Sequence, residues 1–442
     1  MKASRKALLA LIPVLTLLAV GELVARALLP PDHAMGLDED LLWQVEPGPQ
    51  NLHATQTTVN SLGLRGAELQ VPKPQGQRRL MSLGDSSVFG FGVPDGRVFV
   101  EVAAQKLGIE PVNGAMPGYS SQQALAMLER YGEQVEPDLV VVATLWSDNN
   151  FDGFVDAELL EQRSGFSLTG ALASTGLFRW GSGLLGVMPY NEVGFGTLAQ
   201  NPRLGRRRVP VQEYVQNLEA LVARSQALGA EPVFLMLANE VDVRGETGPM
   251  PWDPYRTAMR QVAAEHGCPL IEAAPLFRGK DGLLLDRMHP STAGHALLGE
   301  TLADTVRQTG WPGRSACSGG TGQAPQVWDP YVDSAPPAGL PDEAPGITGV
   351  TWFGGPAQEL VLRMQIDGGA VQEKRLPPKA PFAMEASGQS VHIRAELIDR
   401  SGQQHAADFG SFELPARGLV LDFDEHVEVE AMPEVLHHAP PK

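Results

Sequence analysis

Five short apolar runs, separated by stretches of helical periodicity, restrict the middle of this chain to one class of fold. RLMSL (79–83), PVNGA (111–115), DLVVVATLW (138–146), PVFLML (232–237) and PLIEA (269–273) hardly alternate, as strands buried on both faces do. Apolar positions recur at helical spacing in residues 98–107, 121–131, 211–228, 255–265 and 292–308. Strand and helix alternating five times predicts a three-layer α/β domain with a parallel sheet over residues 79–311.

The pattern then changes. Residues 312–345 are rich in Pro, Gly and Ser, with six prolines from Pro325 to Pro345, and read as a linker. Beyond it the period becomes two: ELVLRMQID (359–367), SVHIRAELID (390–399) and LVLDFDEHVEVE (419–430) alternate between turn signals. A small antiparallel β-sandwich is predicted over residues 346–442, in the part of a binding or spacer module. Residues 30–78 are polar and irregular and read as a connector.

The N-terminus bears on the compartment. Lys2, Arg5 and Lys6 precede an uncharged apolar run over residues 7–21, the pattern of an export signal. With Glu22 and Arg26 tolerated as an i, i+4 pair, residues 7–29 are long enough to span a bilayer. No clean A-x-A site follows, which favours an uncleaved membrane anchor over a cleaved signal peptide and places the rest outside the cytoplasm, in the periplasm of a diderm cell. In such an oxidising space Cys268 and Cys317 either pair or remain buried thiols. Two cysteines do not furnish a structural zinc cluster, and neither a metal nor an organic cofactor is expected. A net charge of -18, from 34 basic and 52 acidic residues, argues against a nucleic-acid partner.

In an open α/β sheet, ligands gather at the carboxyl ends of the strands. There stand Gly84-Asp85-Ser86-Ser87, Pro117-Gly118-Tyr119-Ser120 and Ser147-Asp148-Asn149-Asn150, with Asp286-Arg287-Met288-His289-Pro290 before the last helix. Each alone has a structural explanation; a serine after a strand is more often a helix cap. Together they supply a hydroxyl nucleophile (Ser86), an imidazole base (His289) and a carboxylate (Asp286) spaced to hold the ring edge facing away from the serine.

These residues resemble the SGNH, or GDSL, hydrolase superfamily. Gly84-Asp85-Ser86 matches its GDS block and Asp286-Arg287-Met288-His289 its DxxH block, while Asn113 to Ser120 is similar to the glycine block. The resemblance covers residues 79–310 and implies a flavodoxin-like domain. It further implies a Ser86–His289–Asp286 triad, with an oxyanion held by the N–H groups of Ser86 and Gly118. The asparagine block departs from the family: set on GxND, Ser147-Asp148-Asn149-Asn150 puts Asn149 at the side-chain donor. The implied activity is an exported serine esterase acting on an acylated small molecule or glycan, with short carbohydrate-borne acyl groups favoured. The alternatives are an O-acyltransferase on envelope polysaccharide and a glycan-binding protein without turnover.

Other features read as background. Arg206-Arg207-Arg208 is expected to be solvated surface, and His266 and His295 structural. Gly181 to Gly186 fits GxGxxG but follows no strand. The apolar segment 165–200 is expected to be a helical hairpin packed on the domain or a cover for the site. Oligomeric state has no signature in the sequence.

Overall fold

The computed structural model describes residues 13, 15–25, 35–38, 40–52, 55–152, 155–163, 175–177, 206–246, 249–317, 324–329, 346–352, 357–376, 381–399 and 404–422. Two antiparallel hairpins come first: β1 (Met35–Asp38) with β2 (Leu42–Val45), and β3 (Gly48–Leu52) with β4 (Thr55–Val59). β5 (Arg79–Gly84), β6 (Glu110–Asn113) and β7 (Leu139–Ala143) follow, then the short pair β8 (Phe151–Asp152) and β9 (Arg206–Arg207). β10 (Glu231–Met236) and β11 (Leu270–Glu272) complete one parallel sheet in the order β11-β10-β7-β5-β6. All five strands are those predicted. The chain enters this sheet at β5, steps outward to β6 and returns across β5 to β7, so the order reverses between β5 and β7. At such a switch point the loops part and leave a crevice.

Helices cover the sheet because their apolar residues fall on one stripe. Val211–Ala227 buries Tyr214, Val215, Leu218, Leu221 and Val222, and Ser121–Val135 buries Ala124, Met127, Leu128, Tyr131 and Val135. Val140, Val141 and Val142 of the central strand are wholly buried, each stabilising the domain by about 1.5–3 kcal/mol.

The expected connector is instead part of this domain. Leu41, Leu42, Trp43 and Val45 join the α/β core, and the β3–β4 hairpin reaches the β6 edge through Arg65, whose N–H donates to Asn113 at 3.1 Å. A few large apolar side chains among polar neighbours are enough to dock so short an element. The expected linker also differs. Cys317 is bonded to Cys268, and Val327 and Asp329 are buried against the domain.

The C-terminal unit is a two-sheet sandwich. β12 (Ile347–Trp352), β13 (Ala357–Ile366), β14 (Val371–Leu376), β15 (Pro381–Met384), β16 (Ser390–Asp399), β17 (Gln404–Glu413) and β18 (Ala416–Asp422) build sheets ordered β15-β12-β18 and β14-β13-β16-β17. The larger sheet is antiparallel, as expected, but β12 and β18 run parallel. Parallel neighbours need a long connection, which β13 to β17 provide. Ile347, Phe382 and Leu421 from one sheet meet Leu362, Met364, Ile393 and Leu397 from the other in a separate core.

Residues 15–25 are helical, with Leu15, Leu17, Leu18, Val20, Leu23 and Val24 exposed. Among the described residues no helix is long and apolar enough to cross a membrane, and residues 7–12, 14 and 26–29 of the expected 7–29 anchor lie outside them. Glu22 accepts the N–H groups of Gly176 and Leu177 at 2.7 and 2.9 Å, whereas its expected partner Arg26 is not among the described residues. The Gly181 to Gly186 motif and all but 175–177 of segment 165–200 also lie outside them.

Candidate active site

The first loop is shaped by a strand that ends against its neighbour. Gly84 closes β5 so near to β7 that a Cβ there would stand 2.5 Å from the Ala143 carbonyl oxygen. Asp85 then caps the short helix Ser86–Phe89, its Oδ1 accepting the Ser87 N–H at 2.9 Å. Burial raises the Asp85 carboxyl, against the N–H of Ser87 and the charge of His289. Ser86 is thus the first residue of a helix, with its hydroxyl at the crevice.

The last loop is a tight turn. The Leu285 N–H donates to the His289 carbonyl at 2.8 Å, and Leu284 bridges Pro290. Ser291 caps the helix Thr292–Thr309 that follows. Within the turn, Asp286 Oδ1 accepts the N–H groups of Met288 and His289, each at 2.9 Å. Its Oδ2 lies 2.7 Å from His289 Nδ1, while His289 Nε2 lies 2.8 Å from Ser86 Oγ. A proton on Nδ1, shared with Asp286, leaves Nε2 to accept from the serine hydroxyl. Burial alone would raise the Asp286 carboxyl; the two N–H groups and the His289 ring outweigh it and hold it below its usual value. Phe91 flanks the imidazole, ring centroids 5.1 Å apart. The structure therefore brings Ser86, His289 and Asp286 into one hydrogen-bonded chain.

Gly118 stands on the β6 loop with φ +78°, in the left-handed region that glycine adopts freely. Trp43 of the first hairpin backs it: its indole Nε1 donates to the Pro117 carbonyl at 2.9 Å, and a Cβ on Gly118 would sit 3.1 Å from that ring. Tyr119 returns the contact, its hydroxyl donating to the Trp43 carbonyl at 2.5 Å. Sequence reasoning missed Trp43, which lies far from every motif; its only signal was a tryptophan in a polar stretch.

The Asn149 side chain, expected as an oxyanion donor, is engaged within its own turn. Its Nδ2 donates to the carbonyls of Leu145 and Trp146, both at 2.9 Å, so the two N–H bonds of the carboxamide close the turn in which Asn149 sits. Asp148 is fully buried and points at the helix Ser121–Val135, where its Oδ1 accepts the Ser121 N–H at 2.7 Å. Burial pushes the Asp148 carboxyl up to about 7.

The arginine run is likewise not solvated at Arg207 and Arg208, which are both buried. Arg207 pairs with Asp329 (Nε to Oδ2, 2.8 Å; Nη2 to Oδ1, 3.2 Å) and donates to the carbonyls of Asn149 and Pro251. Arg208 pairs with Asp156 at 2.8 Å and donates to Gln123. Planar guanidinium groups have enough donors to fasten a loop from inside the protein. The two other histidines of the α/β domain have structural partners: His266 meets Glu219 at 2.6 Å, and His295 stacks on Phe99 in the core. Among the described residues no cluster of three or more His, Cys, Asp or Glu could hold a metal ion.

Residues 199–297 match the family model of the GDSL-like lipase/acylhydrolases. Among solved structures, the chain is similar to the psychrotrophic esterase EstA from Pseudoalteromonas sp., at 19% identity and TM-score 0.33 over 52% of this chain and 98% of that one. It is also similar to a lipase/acylhydrolase from Enterococcus faecalis, at 17% identity and TM-score 0.33 over 52% and 96%. The α/β hydrolase LAE5 from the metagenome of Lake Arreo, Spain, is matched at 19% identity and TM-score 0.34 over 53% and 95%. No curated protein matches the chain.

Proposed function

We propose that the α/β domain belongs to the SGNH, or GDSL, hydrolase superfamily, whose model matches residues 199–297, and that the chain is a serine esterase acting through Ser86, His289 and Asp286. The observation that carries this reading is the unbroken chain of hydrogen bonds from Ser86 Oγ to His289 to Asp286, 2.8 and 2.7 Å long, at the switch point of the sheet. Ser86 Oγ attacks the acyl carbonyl while His289 Nε2 takes its proton, and Asp286 holds the ring and stabilises its cation. His289 then gives the proton to the leaving alcohol. Water, deprotonated by the same imidazole, releases the acid from the acyl-enzyme.

The developing oxyanion is met by the N–H groups of Ser86 and Gly118. First-turn N–H groups of a helix lack an intrahelical acceptor, which suits the Ser86 amide to this task. A short acyl group on a carbohydrate is the favoured substrate, in a chain exported and held at a membrane by its N-terminal segment. The exposed leucines of residues 15–25 support that placement. The test is a fluorophosphonate probe on the purified protein. Labelling at Ser86 that disappears in Ser86→Ala is expected, and a parent protein that stays unlabelled defeats the reading.

A further inference from the structure

The loop leaving β7 is where the resemblance places a side-chain donor to the oxyanion, and the structure accounts for its four polar residues in turn. Asn149 spends both carboxamide N–H bonds on the carbonyls of Leu145 and Trp146. Asp148 faces the opposite way, its carboxyl buried against Ser121. Asn150 is exposed, and its carbonyl accepts the Arg208 N–H at 2.8 Å. Ser147 remains.

Its position is fixed from two sides. Ala143 pairs with Gly84 at the ends of β7 and β5, so the residues beyond run alongside the loop that carries Ser86. Burial raises the Asp85 carboxyl and the Ser147 backbone is among the groups that lower it, which puts Ser147 beside the residue before Ser86. Ser147 is nearly buried, at 6% exposure, yet its hydroxyl has no hydrogen-bond partner among the described residues, nor is it a sealed polar atom like Asp148 Oδ2. A nearly buried residue whose hydroxyl is neither paired nor sealed has one polar group to offer.

We propose that the Ser147 hydroxyl is the side-chain donor to the oxyanion, in the role expected of Asn149; the inference rests on Ser86 being the nucleophile. As the bond from Ser86 Oγ to the carbonyl carbon forms, the C=O π pair moves to oxygen and the serine proton goes to His289 Nε2. The Ser147 O–H donates to that oxygen and keeps its own proton. Collapse restores the carbonyl and expels the alcohol, which leaves with the proton from His289.

The test uses the full chain with p-nitrophenyl acetate. Alanine at 147 keeps the backbone of the loop, so only the hydroxyl is lost. Ser147→Ala is expected to lower kcat roughly 10²-fold with KM unchanged, the pattern of a donor used mainly in the transition state. Its fluorophosphonate labelling slows in step, at an unchanged melting temperature. Ser147→Asn, which offers an amide donor from the same place, is expected to recover most of that loss. Normal kcat in Ser147→Ala, with Ser86 still labelled, overturns this inference and leaves the esterase reading intact. Absence of labelling in the parent protein overturns both.

Discussion

Removing the hydroxyl or the imidazole of the Ser86–His289 pair tests the proposed chemistry most directly. Ser86→Ala and His289→Ala should each lower turnover by about 10⁴ or more, because members of one triad act as a unit. Steady-state rates on a soluble ester, beside an unchanged circular dichroism spectrum, check this. Asp148 gives a separate, thermodynamic prediction. The folded chain keeps its proton up to about pH 7, whereas an unfolded chain releases it near the ordinary value of 3.8. Between those values the native state binds the extra proton, so this contribution to stability is full below pH 3.8 and is lost as pH rises towards 7. Asp148→Asn should flatten that decline, and melting temperatures taken from pH 4 to 8 will show whether it does. At this scale the grouping of Ser86, His289 and Asp286 was legible because Asp286 and His289 are three residues apart and Ser86 closely follows a strand. The donor in the β7 loop was not. Four adjacent polar residues satisfy a motif equally well until the turn decides which of them closes it, and here Asn149 does.

The five strands of the sheet were readable for a different reason: buried on both faces, they leave unbroken apolar runs. The elements that were misread bury little and bury it far away in sequence. The β1–β2 hairpin docks chiefly through Leu41, Leu42 and Trp43, too few to set a period. Arg207 and Arg208 looked like surface because their carboxylate partners, Asp329 and Asp156, lie far from them along the chain. Those pairs matter to the β7 loop, since Arg207 holds the Asn149 carbonyl at 2.6 Å and the Arg208 N–H holds that of Asn150. Asp329→Ala should therefore cost about 3–5 kcal/mol, the penalty of stranding a buried guanidinium. Urea unfolding measures it, and a loss below about 1 kcal/mol, the scale of an exposed pair, would show that solvent reaches Arg207. Asp329→Asn, which retains an acceptor for one of the two bonds, should fall between.

Across the whole molecule the catalytic unit extends further than its sheet. After the helix Thr292–Thr309 the chain is bonded at Cys317 to Cys268, beside Glu231 at the start of β10, and reaches Arg207 at Asp329. A protein ending near Gly310 loses both fastenings. It should aggregate or melt early, whereas one ending just after Asp329 should keep activity on a small ester. Reducing the disulfide should lower stability by about 2–4 kcal/mol, since it closes a loop of 49 residues in the unfolded chain. Denaturant titration with and without reductant checks this. The separate core of the sandwich was legible from its period of two, but its parallel β12–β18 pair was not, because strand neighbours far apart in sequence leave no local mark.

The fastening at Asp329 also sets the leash of the C-terminal domain. Only residues 330–345 separate Asp329 from Gly346, where the sandwich begins, so the two anchor points are at most about 60 Å apart at full extension. Because Asp329 is tied to the guanidinium that holds the Asn149 carbonyl, this short radius is drawn from the carboxyl end of the sheet, where Ser86 stands. Any ligand carried on the sandwich is thereby confined near the cleft at an effective concentration on the order of millimolar, whatever its concentration in the surrounding fluid.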